Sequence, residues 1–461
     1  MTFMPLKRPE RKHILLLAAI IVFGVFLRLY NFGSYPFGFD QVQILENAHK
    51  IAGGHPTLIG PRTGPGEMFT GPLIYYLTGF NYLFFQNHMS LFLTSAAFFI
   101  LTGITLAYLA QKYLNQFLKT VSALLIWAFS PYLVALDRIT WNPNLTLLAG
   151  FLSFFPLLEL PYRRAKHADL LFLFLGSFLG YQAHFSGILL PVLVCLIWLF
   201  FIRKQIIIVI ASLLGLLVSL IPTLIFDIRH GWLNLHGFLK LFENQVSAEN
   251  YLWLNRLIHN LYITVENQGK LLSFHHSSLV IIAIGCLILL VYGIVWGKQS
   301  KTKHRLHLII PLIWIVIIAF AYSFYSAGTP EYYYLIQTPA LIVIIVELIY
   351  FFSFQRLWLF SMLVVPFLLI SLRADYVLVT ETGKLNLRDQ VATSRYLHYL
   401  SGFEPVSQFR YQMPHADNLG LEYLLSDIPL NSQGSAITII FPTQTYEVYS
   451  RQFGLIGILK E

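Results

Sequence analysis

The chain reads as a succession of long apolar runs separated by short polar segments. A helix that crosses a bilayer needs about 20 mostly apolar residues. Runs of that kind begin near His13, Met89, Thr120, Asn142, Ala168, Phe185, Gln205, Leu279, His307, Tyr332 and Leu357. The pattern therefore predicts an all-α polytopic membrane protein with about eleven transmembrane helices. The stretch around Ala183–Gly187 reads equally as the middle of one long helix or the join of two. The first run lacks a small-residue cleavage site and is expected to stay in place as an anchor. No internal repeat is visible.

Lys and Arg then set the orientation. Lys7, Arg8, Arg11 and Lys12 precede the first run, and Lys112 and Lys119 follow the second. Arg163, Arg164 and Lys166 follow the fourth run, Arg203 and Lys204 the sixth, Lys298, Lys301, Lys303 and Arg305 the eighth, and Arg356 the tenth. With alternating spans all these clusters fall on one side, which the positive-inside rule makes the cytoplasm. Dropping one span would scramble that agreement. Three larger segments then lie outside: residues 31–88, residues 227–278 and the tail 373–461. The tail is far more polar. It predicts helices around Arg388–Leu400 and Ala416–Leu425 and a strand at AITIIF, hence a small α/β domain. The boundaries are residues 1–372 for the transmembrane domain and 373–461 for an extracytoplasmic C-terminal domain.

Composition agrees: 56% of residues are hydrophobic and only 11% charged, against about a quarter charged in soluble domains. Aromatics at 16% suit a surface that meets lipid and its interface. The net charge of +9 sits in short clusters between apolar runs, so it sets topology and points to no nucleic-acid partner. Cys195 and Cys286 lie in separate apolar runs and read as small buried hydrophobes.

The acids expected outside before the tail are Asp40, Glu46, Glu67, Asp137, Asp227, Glu243, Glu249, Glu266 and Glu331. The apolar runs carry almost no charge, Glu347 near a cytoplasmic end being the main exception, whereas ion-coupled transporters place ionisable groups in mid-span. Asp40 follows the aromatic stretch YPFGF and opens a segment whose Val42, Leu45, Ala48 and Ala52 form one stripe. That segment predicts an interfacial helix, with Asp40 and Gln43 reading as its capping box and Gly53–Gly54 as its stop. DRITWNPN, residues 137–144, offers Arg138, Asn142 and Asn144 to clamp a phosphate and orient hydroxyls. It also reads as a Pro turn with an interfacial Trp141 and an Asp137–Arg138 pair. GYQAHFSG places Tyr181, Gln182 and His184 at a span end. FDIRHGW places Asp227, Arg229 and His230, and GTPEYYYL places Glu331, Tyr332 and Tyr333. Each cluster alone reads as interface decoration, but five converge on one side. Arg138 and Arg229, with His230, would neutralise a leaving phosphate.

In these motifs the chain resembles the glycosyltransferase C superfamily, the polytopic lipid-linked sugar transferases. The nearest branch is family 39, with protein O-mannosyltransferases and lipid A aminoarabinose transferases as relatives. The resemblance covers about residues 10–350 and rests on order: one span, then FGFDQVQILENAHKI, GPLIYYL, DRITWNPN, GYQAHFSG and PEYYYL. It implies a plasma (inner) membrane enzyme of the cell envelope, working on the extracytoplasmic face. The implied donor is a polyprenyl- or dolichyl-phosphate sugar, and the acceptor a hydroxyl on protein, lipid or glycan. Asp40 takes the place of the acidic residue thought to act as base. Many relatives have Asp-Glu where this chain has Asp40–Gln41, which leaves the base to Asp40 alone and weakens a metal site. No metal ligand and no cofactor is assigned, and a divalent metal stays open. GPLIYYL lacks the basic residue of the family's KPPLYYW-like segment, so the donor phosphate must be bound from elsewhere. Substrate contacts are then expected from Gln41, Asn142, Asn144, Tyr181, Gln182, His184, Glu331, Tyr332 and Tyr333, and phosphate contacts from Arg138, Arg229 and His230. A single displacement implies inversion. The chain shows no Gly-rich nucleotide loop, which fits a lipid donor. Two rivals share the donor: a transporter or flippase of lipid-linked sugars, which would make no bond, and a surface-polysaccharide polymerase or ligase, which would differ in acceptor.

Overall fold

The structure, a computed structural model, describes residues 10–63, 68–243, 253–272, 278–299, 305–325, 329–353, 356–381, 384–414, 417–443 and 449–460. Its first helices are α1 (Arg11–Leu29), α2 (Phe39–Ala52), α3 (Leu73–Tyr82), α4 (Met89–Tyr113), α5 (Phe117–Phe129) and α6 (Pro131–Asp137). Then come α7 (Asn144–Glu159), α8 (His167–Ala183), α9 (Leu189–Ile197), α10 (Ile207–Arg229), α11 (Leu233–Glu243) and α12 (Trp253–Lys270). The rest are α13 (Ser278–Gln299), α14 (Arg305–Ser323), α15 (Thr338–Ser353), α16 (Leu357–Thr380), α17 (Leu387–Ser401) and α18 (Leu419–Leu424).

Each of the eleven apolar runs forms helix, but among the described residues only seven helical stretches are long and apolar enough to cross a membrane. The pair α5–α6, bent by 55° where Pro131 follows Ser130, makes an eighth if taken as one span. Shorter apolar helices over Asn144–Glu159 and Val280–Val295 come in addition. The structure thus supports a multi-pass membrane protein, and among the described residues seven or eight of the expected eleven spans are long and apolar enough to cross. Hydropathy counts apolar content, whereas several of these helices are too short, or too bent, to cross alone. The run through Ala183–Gly187 is two helices: α8 ends at Ala183 and a 3-10 turn over Phe185–Ile188 leads into α9.

Burial follows the apolar pattern. α7 is buried along nearly its whole length, and α15 is buried on most sides, so these two form the centre. α1 and α16 are peripheral and turn Leu15, Val22, Leu363 and Leu369 outward. Glu347 of α15 is paired with Lys119 at 2.7 Å, so the carboxylate expected near a cytoplasmic span end has a cation beside it. The expected Asp137–Arg138 pair does not form. Asp137 instead accepts from Arg28 Nε of α1 at 2.6 Å, and both side chains are buried.

After α16 the polar tail folds as a separate layer. Strands β1 (Val406–Gln412), β2 (Ser435–Ile440), β3 (Arg451–Phe453) and β4 (Ile456–Lys460) form a sheet in the order β1-β2-β4-β3. β1 and β2 run parallel and the other pairs antiparallel. Leu397 of α17 and Leu421 of α18 close a core with Ile437, Ile439, Ile456 and Ile458.

Candidate functional site

α2 is not capped as its sequence predicts. The N-cap is Gly38, whose N–H donates to Gln41 Oε1 at 3.1 Å. Gln41 Nε2 in turn donates to the Thr140 carbonyl at 3.2 Å, which ties α2 to the DRITWNPN loop. The capping box is therefore shifted by two residues from Asp40–Gln43, and Asp40 is left in the first turn with no capping duty. Among the described residues none hydrogen-bonds or ion-pairs its carboxylate. The Asp40 charge reaches the phenols of Tyr75 of α3 and Tyr332. Burial raises the Asp40 carboxyl above the ordinary range.

Beside Asp40 lies an aromatic floor. Trp141 packs on Tyr332 at 4.6 Å between centroids, and His184 packs on Tyr332 at 5.5 Å and on Tyr333 at 4.4 Å. His184 Nδ1 accepts from the Ser186 N–H at 3.2 Å, which leaves the proton on Nε2. Burial pushes its pKa down to about 3, so the ring is neutral and Nε2–H is a donor. The structure thus brings together Asp40, Trp141, His184, Tyr332 and Tyr333 from four separate stretches of chain.

The remaining polar candidates make bonds within the protein. Arg138 donates to the carbonyls of Tyr30 at 2.7 Å, Leu27 at 3.3 Å, Asn31 at 3.4 Å and Arg28 at 3.5 Å, and to Ser34 Oγ at 2.6 Å. It closes the C-terminal end of α1, where carbonyls lack helical partners. Asn142 donates to the Ala183 carbonyl. Asn144 donates to Asp137 and Ile139 carbonyls at 3.1 and 2.8 Å and accepts from Trp141 Nε1 at 2.9 Å. Gln182 accepts from Leu73 N at 3.0 Å and donates to Ser219 at 3.1 Å. A Cβ at Gly71 would lie 2.2 Å from Gln182 Oε1, so the start of GPLIYYL has no room for a side chain. Tyr181 donates to Thr223 Oγ1 at 3.1 Å.

Arg229 and His230 are exposed at the C-terminal end of α10. His230 stacks on Phe226 at 3.9 Å, and Arg229 has no ion-pair partner among the described residues. Asp227 accepts from Asn234 and Leu235 N–H groups at 2.9 and 3.1 Å and so opens α11. Next to it is a mostly apolar groove of about 170 Å³ lined by Phe69, Tyr181, Phe185, Leu224 and Trp232 among others. Phe185 also packs on Tyr333 at 5.4 Å, so the groove runs up to the aromatic floor.

One cation was missed in the sequence. Lys270, at the end of α12, pairs with Glu266 at 3.1 Å and with Glu331, and lies 5.9 Å over the Tyr132 ring. Burial works against its charge, but the two carboxylates more than offset this and hold its pKa above the ordinary value. The available signal was the Glu266–Lys270 spacing of i,i+4 on an amphipathic stretch. Glu67 and Glu249 lie outside the described residues, as does Gly328 of GTPEYYYL. Among the described residues no group of three His, Cys, Asp or Glu is placed to hold a metal.

No protein-family model matches the sequence. No curated protein matches it. Among solved structures the chain is similar to ArnT from Cupriavidus metallidurans bound to undecaprenyl phosphate, with a TM-score of 0.61 at 11% identity and 98% of each chain covered. The apo form of the same protein gives a TM-score of 0.57 at 10% identity over 97% of each chain. Likeness over nearly the full length of both chains shows that this chain shares the fold of that protein.

Proposed function

We propose that this protein is a membrane glycosyltransferase that moves a sugar from a polyprenyl- or dolichyl-phosphate carrier to an acceptor hydroxyl, at the extracytoplasmic face, with Asp40 as general base. The observation that carries the reading is Asp40 itself: a half-buried carboxylate with no cation and no hydrogen bond among the described residues, beside an aromatic floor. A structural carboxylate in such surroundings is normally paired, and a base needs its lone pairs uncommitted. Its raised pKa also moves it toward the working pH, where a general base is most effective. The carrier class is supported by the undecaprenyl phosphate bound to ArnT, the protein of like fold.

In the reaction the acceptor hydroxyl gives its proton to Asp40 as its oxygen attacks the anomeric carbon. The bond from that carbon to the phosphate oxygen breaks, the lipid phosphate leaves with the electron pair, and the anomeric configuration inverts. Tyr75, Tyr332 and the Nε2–H of His184 are assigned to the sugar and acceptor hydroxyls, and Trp141 to the sugar face. Arg138 is engaged by five protein acceptors, so the leaving phosphate is assigned to Lys270, which would exchange the half-exposed Glu331 for the ligand. Arg229 and His230 follow Asp227, which lines the groove assigned to the isoprenoid chain. Asn142, Asn144, Gln41 and Gln182 are assigned as the scaffold that holds these loops in place.

The test is purified protein with a panel of labelled polyprenyl-phosphate sugars, scored for release of lipid phosphate and for transfer to acceptor. Movement of the intact lipid-linked sugar between leaflets with no release would replace this reading with that of a flippase.

A further inference from the structure

The stretch leading into α2, Asn31 to Gly38, is gripped from two directions. From the transmembrane domain, Arg138 bonds the Tyr30 and Asn31 carbonyls and Ser34 Oγ, and stacks on Tyr35 at 4.4 Å. From the C-terminal domain, the Leu387 N–H at the start of α17 donates to the Tyr35 carbonyl at 2.9 Å. One turn on, Gln390 Nε2 donates to the Phe37 carbonyl at 2.8 Å, and the Gln390 side chain is fully buried. The N–H groups of a helix's first turn have no helical acceptor, so α17 uses an otherwise orphaned donor to hold this stretch. Below it, Phe37 packs on Tyr423 of α18 at 6.2 Å. Gly420 fits under the Phe37 carbonyl: a Cβ there would lie 2.4 Å from that oxygen and 2.2 Å from Gln390 Oε1. The α2 ladder begins one residue after Phe37, with Val42 N donating to the Gly38 carbonyl at 3.0 Å.

We infer that the C-terminal domain is a brace for the catalytic carboxylate: through Leu387, Gln390 and the α18 contact it fixes the Tyr35–Gly38 backbone, and so the first turn of α2 that carries Asp40. The inference rests on the reading of Asp40 as the base. Gln390 is then a positioning residue, acting through the backbone and touching no substrate. General-base catalysis depends on distance, so a shift of about 1 Å in that turn costs on the order of 100-fold in rate while leaving the donor's lipid and phosphate contacts alone.

Two full-length variants test this. Gln390→Met keeps length and packing but removes the amide donor, and Gly420→Ala forces the two layers apart while favouring helix at its own position. Initial rates are measured with a polyprenyl-phosphate sugar, together with hydrogen exchange of the amides of residues 38–44 and the thermal midpoint. The expected result is a fall in kcat of about 10- to 100-fold with donor KM within about twofold of the parent, and faster exchange in residues 38–44 with α7 unchanged. Unaltered exchange in residues 38–44 in both variants overturns the brace, as does faster exchange with full kcat. A uniform rise in exchange through α7 with a lowered thermal midpoint also overturns it, because that marks general unfolding. The exchange data do not depend on activity. If Asp40→Asn keeps its turnover, the reading of Asp40 as base fails independently of them.

Discussion

Replacing Asp40 by Asn removes the proton acceptor and changes almost nothing else. Asn is nearly isosteric with Asp, and the cap of α2 is made by Gly38 and Gln41, which the substitution leaves alone. Two small terms act on stability. A carboxylate in a helix's first turn interacts favourably with the macrodipole, worth about 0.3–1 kcal/mol. Against this, burial raises the Asp40 pKa above its ordinary 3.8. The folded state therefore prefers the neutral acid, and the ionised group weakens the fold increasingly as pH rises from 3.8 through the raised folded pKa. Asn loses the first term and escapes the second, so the net change is expected within about 1 kcal/mol. Asp40→Ala is expected to behave alike, because no cap is lost. Activity is another matter. General-base catalysis contributes about 10²–10⁴-fold, which at 1.36 kcal/mol per decade is about 3–5 kcal/mol of transition-state stabilisation. The assay is initial-rate transfer from a labelled polyprenyl-phosphate sugar, with thermal midpoint and binding of polyprenyl phosphate measured on the same preparations. Loss of two to four decades in turnover, with both other quantities near the parent's, is the expected result. An Asn variant retaining more than about a tenth of turnover, well short of that loss, would refute the assignment. Asp227 would not then be the next candidate, since three hydrogen bonds from Asn234 and Leu235 already engage its carboxylate.

The same shift predicts a pH profile: kcat/KM falls as pH drops through the raised Asp40 pKa, so the acid limb should lie above the ordinary 3.8, and a limb at or below it would contradict the burial argument. Lys270→Ala should raise the donor KM by an amount equivalent to about 2–5 kcal/mol and leave acceptor KM unchanged; a purely acceptor-side effect would place the phosphate elsewhere. Arg28→Ala leaves Asp137 buried without its partner and is expected to cost about 3–5 kcal/mol, read as a large fall in thermal midpoint; an unchanged midpoint would show that water reaches the site. Single-cysteine labelling should report Gly54 and Ser435 outside and Lys204 inside, and finding Ser435 inside would break the proposed topology.

Sequence alone determined the membrane class and the positions of the apolar helices, because hydrophobic burial repeats along the chain and is read within a window of residues. It also singled out Asp40 at the opening of a helix, and Asp40 does lie in the first turn of α2. Helices at Arg388–Leu400 and Ala416–Leu425 and a strand at AITIIF were equally legible, and they correspond to α17, α18 and β2. Three things were decided only in the folded chain. The length and continuity of each apolar helix were set by local bends, as at Ser130–Pro131, which total hydropathy does not report. The cap of α2 moved to Gly38 because Gln41, and not Gln43, faces back to the helix start, while its other atom reaches Thr140, 99 residues away. Above all, the use of each polar side chain was invisible. Arg138, Asn144 and Gln182 look like ligand-binding residues in their motifs, yet Arg138 bonds carbonyls more than 100 residues away and Gln182 joins α8 to α3 and α10. Asp40 and Lys270 differ from them only in what the fold sets beside them. A hydrogen bond is satisfied by whatever partner the tertiary structure brings within about 3 Å, and periodicity along the chain carries no record of that partner.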